Sequence, residues 1–158
     1  MFKDATSAEA DFPYGSPSAL ESEVNRAAYA HWCRLRGDRA MPARADLDPA
    51  DIVPLLPHLL LLDVQWEPMD FRYRLIGTLV AELSAEHSGR WMRDLPHQAP
   101  PSHIFAACET VARGAEPIIT NVPYEGKLRD IRRLEDVMMP LSNDGLRVNM
   151  LFICADFL

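Results

Sequence analysis

Apolar residues recur at helical spacing soon after the start of the chain. Leu20, Val24, Ala27, Ala28, His31 and Leu35 form one stripe, with Trp32 beside it. Ser18 is placed to cap and Glu21 to answer it three positions later, so the pattern predicts an amphipathic helix to about Arg36, stopped by Gly37. Residues 1 to about 17 lack periodicity and read as a flexible leader before a single domain over 18–158. Asp48-Pro49-Ala50-Asp51 predicts a short helix carrying Ile52, Leu55 and Leu56 before Pro57 halts it.

The period then changes. His58 to Trp66 reads as a strand, and Phe71 to Ile76 alternates Phe71, Tyr73 and Leu75 against Arg72 and Arg74. The polar Glu67-Pro68-Met69-Asp70 connection makes the two a hairpin. Thr78 to Glu86 predicts a short helix, and residues 88–95 a turn. Pro101 opens a longer helix facing inward through Ile104, Phe105, Cys108 and Val111 and stopping at Gly114. Strands follow at Pro117 to Tyr124, at Ile131 to Leu141, whose charged first half weakens the pattern, and at Arg147 to Phe157. Asp144-Gly145 signals a hairpin between the last two. Both faces of the final strand are apolar, which places it centrally with cover on each side. The order predicts an α+β domain: a five-stranded antiparallel sheet, crossed on one face by short helices and covered on the other by the N-terminal helix.

Composition narrows the function classes. The chain has 158 residues, 48 % of them hydrophobic, enough for one packed domain. Sixteen Lys+Arg against 23 Asp+Glu give a net charge of −7, which disfavours nucleic acid and anionic membrane as partners. No apolar run approaches the length of a membrane span, and the acidic start has no signal core. Cys33, Cys108 and Cys154 form no disulfide framework or CxxC pair, which points to a cytoplasmic protein with free thiols. His31, His58, His87, His97 and His103 contain no metal-binding spacing, and neither a nucleophile elbow nor a phosphate-binding glycine loop is present.

Several segments together carry a resemblance. They are Trp32 to Gly37, Pro42 to Pro49, Leu56-Pro57, Phe71-Arg72-Tyr73-Arg74-Leu75-Ile76-Gly77-Thr78, Ser88-Gly89-Arg90 and Met139 to Gly145. In this order and spacing, across about residues 20 to 156, the chain resembles the PAS-type domain family common in alphaproteobacteria, whose members are mostly stand-alone domains. The resemblance implies a PAS-like sensory fold whose helices can enclose a small-molecule pocket. It implies a nonenzymatic sensory or adaptor role in signal transduction, with output through noncovalent contacts.

A pocket draws on Tyr73, Leu75, Trp91, Phe105, Cys108 and Phe152, which are otherwise core residues. Arg72, Arg74, Arg90 and Asp63 are polar anchors: two arginines on one strand face need carboxylates, from Asp63 or Asp94, or an anionic ligand. Haem would need an axial His103 or Cys108, neither in a distinguishing context, and the cysteine segment of flavin-photoadduct domains is missing, so no specific motif supports either cofactor. A homodimer is expected through Val24, Ala28, His31 and Trp32, with the leader across the partner. A regulatory protein partner is a further expectation. Two alternatives stand beside the sensory reading. One is a small cone-shaped α+β isomerase or hydratase with Asp63 or His103 as base. The other is a purely structural interaction domain.

Overall fold

The computed structural model describes residues 14–158. Five strands form one sheet: β1 (Leu59–Trp66), β2 (Met69–Ile76), β3 (Ile118–Pro123), β4 (Arg133–Leu141) and β5 (Met150–Phe157). Their order is β2-β1-β5-β4-β3 and every pairing is antiparallel. The protein is therefore α+β, with the apolar β5 at the centre as its two apolar faces require.

Helix α1 (Glu23–Arg36) covers one face. Its cap is Ser22, whose hydroxyl accepts from the Asn25 amide at 3.1 Å; Ser18 instead belongs to a 3-10 turn over Pro17–Ala19. The expected helix thus starts later, because Ser22 and the amide of Glu21 are held by the sheet. Glu135 of β4 accepts from the Glu21 and Ser22 amides at 2.9 and 3.0 Å. Ten residues further along, the Trp32 indole donates to the Pro140 carbonyl at 3.0 Å. Ala28, His31 and Trp32 are buried within the chain and Val24 packs partly against its core. Ala28, His31 and Trp32 of the stripe expected to serve a dimer thus pack against the protein's own sheet.

The opposite face is crossed by α2 (Thr78–Leu83), the loop through Trp91, and α3 (His103–Gly114). Ser102, not Pro101, caps α3, its hydroxyl accepting from the Phe105 amide at 3.1 Å. Ahead of β1, Asp48 caps a 3-10 turn as its spacing predicts. A second such turn, Val53–His58, continues through Pro57.

Loop lengths depart from expectation at both hairpins. Met69 and Asp70 are already in β2, leaving Glu67-Pro68 as the connection. The β4–β5 link is longer than a tight Asp-Gly turn, since pairing resumes only at Leu141 and Met150. Asp144 organises that loop by accepting from the Leu146 and Arg147 amides at 2.8 and 2.9 Å.

Each sheet edge is covered in part by backbone from outside the sheet. Gly15 exchanges two hydrogen bonds with Ile119 of β3, so residues 14–17 of the expected leader lie on the domain. Residues 1–13 of that leader fall outside the described residues. On the other edge, Tyr73 of β2 donates to the Arg90 carbonyl and accepts from the Gly89 amide. Gly77 ends β2 where a side chain has no room: a Cβ there would stand 2.4 Å from the Pro57 carbonyl oxygen.

Candidate functional site

Strand alternation sends Leu60 and Leu62 of β1, Ile153 and Ala155 of β5, and Met138 of β4 toward the helices of the second face. Above them, α3 turns His103, Ile104 and Ala107 inward while its other side packs Phe105 edge-on against Phe71, ring centres 5.3 Å apart. The helix therefore stands off part of the sheet, and the gap is a cavity of about 480 Å³.

Its walls are mainly aliphatic, with polar groups at separate points. Tyr73 donates through its hydroxyl to the side-chain amide oxygen Oε1 of Gln98, and both line the space. Burial pushes the Tyr73 phenol well above its ordinary pKa, so it remains a neutral donor. The His87 ring lies 5.7 Å from that of Tyr73, and His97 and His103 also border the cavity. Asp136 reaches it from the sheet. It stands opposite Thr120 of β3, whose hydroxyl bonds the carboxyl, yet Oδ1 is buried with no protein partner. Burial raises this carboxyl to about 7, the neighbouring Glu135 charge adds to the rise, and the Thr120 bond opposes it.

The expected site residues are scattered by this geometry. Tyr73 lines the cavity. Leu75 does not, because Leu62 pairs with Tyr73 while Leu61 pairs with Leu75. Arg74 is thus an extra residue in β2, and the bulge turns Leu75 to the other face, where it is 45 % exposed. Phe152 alternates with the lining residue Ile153 and so points toward α1. Cys108 is buried in the core, its thiol pushed up by burial. Phe105 borders a separate hollow of about 300 Å³. Trp91 sits outside, with the Arg72 guanidinium 5.6 Å from its ring centre.

The polar anchors gather on the α1 face of the sheet instead. Asp63 holds Arg72 at 3.0 Å and Arg74 at 3.3 Å, so the two arginines find their carboxylate within the chain. Asp94 is exposed. Arg90 contributes its carbonyl to β2 and has an exposed residue surface. Asp63 is therefore on the wrong side of the sheet to act as a base in the cavity. Sequence reasoning overlooked Asp136 and Thr120. The available signal was β4's alternation, in which Asp136 shares a face with Leu134 and Met138.

Among the described residues, no group of three or more His, Cys, Asp or Glu is placed to hold a metal ion. Nor is any helix among them long and apolar enough to cross a membrane.

Residues 20–152 match the family model described as a PAS domain. The chain belongs to the PAS domain family. No curated protein and no solved structure matches it. PAS domains are sensor modules of signal transduction, and the architecture of this one fits a sensory or adaptor role. Membership also displaces the cone-shaped enzyme expected as an alternative.

Proposed function

We propose that this PAS domain is a nonenzymatic sensory module that takes a small, mainly apolar molecule into its cavity and reports occupancy by protein contact. The observation carrying this reading is the cavity of about 480 Å³ between the aliphatic sheet face and α3. Its size lies within the roughly 300–1,000 Å³ of small-molecule sites, and polar groups such as Tyr73, Gln98 and Asp136 interrupt its aliphatic walls where they can orient a bound molecule. The signal leaves through a second copy or a regulatory partner, on a surface other than the stripe of α1. Free Cys33, Cys108 and Cys154 support action in the reducing cytoplasm.

Ala107 is buried in α3 and borders the cavity, so Ala107→Phe fills the space from a rigid element. Titration with the neutral dye N-phenyl-1-naphthylamine should give a saturable fluorescence rise with the wild type. The variant should bind at least about tenfold more weakly with unchanged circular dichroism, since filling a pocket removes its contacts. A rise that Ala107→Phe leaves unaltered, or no saturable rise at all, rejects the reading. Native mass spectrometry of gently purified protein then reports any resident ligand and the oligomeric state together.

A further inference from the structure

We propose that the molecule this cavity takes carries a hydrogen-bond donor head, an amine or a hydroxyl, which completes Asp136, while its apolar body lies against Leu60, Leu62 and Ile153. The inference rests on the sensory reading above and specifies its ligand. Asp136 is only 7 % exposed, yet its Oδ1 has no protein donor, whereas Thr120 already serves the carboxyl from the adjacent strand. A buried acceptor left unpaired is costly, and a bound donor removes that cost at the same time as it binds. The unpartnered atom belongs to a residue that lines the cavity.

Charge selects further. Asp136 is the sole acid among the described lining residues, and no lysine or arginine is among them. A ligand ending in a carboxylate or phosphate would find an acidic group and no strong cation. The titratable groups around the carboxyl are Glu135 on its own strand, Cys154 on β5, Cys108 on α3 and Tyr73 on β2. His87, His97, His103 and Tyr14 also border the space. At pH 8 the carboxyl, raised to about 7, is mostly ionised. An ammonium or hydroxyl head is then the complementary partner. Since the same donor chemistry comes from either group, the two must be separated by experiment.

Four probes share one apolar body: 2-(1-naphthyl)ethylamine, 2-(1-naphthyl)ethanol, 1-naphthaleneacetate and 1-ethylnaphthalene. Competition against N-phenyl-1-naphthylamine at pH 8 should rank the two donors at least about tenfold above the acetate and the hydrocarbon, as for hydrogen bonds to a charged group. In Asp136→Leu the hydrocarbon should bind as well as the donors. Asp136→Asn keeps an acceptor oxygen but no charge, so it should weaken the amine more than the alcohol and retain the alcohol's advantage over the hydrocarbon. It also carries the test if the leucine variant does not fold. A wild type that binds the hydrocarbon as tightly as the donors overturns the donor head and leaves the sensory reading standing. So does a donor preference that survives both substitutions. Failure of all four probes and the dye to bind the wild type overturns both.

Discussion

At the scale of single residues, two adjacent carboxyls on β4 meet opposite fates. Glu135 is fully buried but satisfied by the Glu21 and Ser22 amides and by Asn25, whose amide group donates at 3.1 Å. Asp136 has a single protein partner and titrates near 7 rather than in the usual carboxylate range. Between about pH 4 and 7 the folded chain therefore holds a proton that the unfolded chain has released. Stability from this group is fully present below that window and falls as pH rises through it, by at most about 1.4 kcal/mol per unit. Asp136→Asn removes the ionisation, so urea midpoints should rise in the variant at pH 7.5 and match the wild type near pH 4. An equal shift at both values would assign the effect to packing instead. His31 works in the other direction. Burial, and then the Arg34 charge, hold its pKa below the ordinary value, so its stabilising contribution is lost as pH falls below about 6.5.

At the scale of elements, α3 ends on a residue unsuited to its backbone. Gly114 is the last helical residue, and the following Ala115 takes the left-handed conformation at φ 55°, ψ 30°. An L side chain pays there and glycine does not, so Ala115→Gly should stabilise the domain by on the order of 1 kcal/mol. A thermal melt reads this directly, and an unchanged or lower Tm would mean that flexibility gained by the unfolded chain dominates. This stop was legible in the chain to within a residue, as were α1's apolar stripe, the alternation of β2 up to Tyr73 and the central position of β5. What was not legible has a common cause: single-strand alternation says nothing about irregular pairing or about which covered face holds space. The bulge at Arg74 reverses Leu75 without any local sign, and β5 is apolar on both faces, so Phe152 and Ile153 look equivalent. The charges of β4 weakened its pattern for the same reason. Glu135 is matched by the start of α1 and Asp136 by Thr120, partners far away in sequence.

At the scale of the whole molecule the sheet is a partition, with α1 on one side and the cavity on the other. Residues 135 and 136 cross it within one peptide unit. Glu135 anchors the start of α1, and its charge is the second cause, after burial, of the raised Asp136 carboxyl. An occupant that changes the charge at Asp136 must therefore be felt at the helix anchor, because an electrostatic interaction between two groups acts on both. Glu135→Gln keeps the acceptor oxygen and much of the shape while removing the charge. In that variant the Asp136 carboxyl, followed by carbon-13 NMR, should titrate at a lower pH than in the wild type, because a repelling neighbour is gone. The Glu21 and Ser22 amides should exchange faster with solvent, since a neutral amide oxygen accepts more weakly than a carboxylate. The two readouts belong together. If the helix anchor loosens while the Asp136 midpoint stays in place, the two faces are electrically independent, and occupancy would have to reach α1 by movement of β4 rather than by charge.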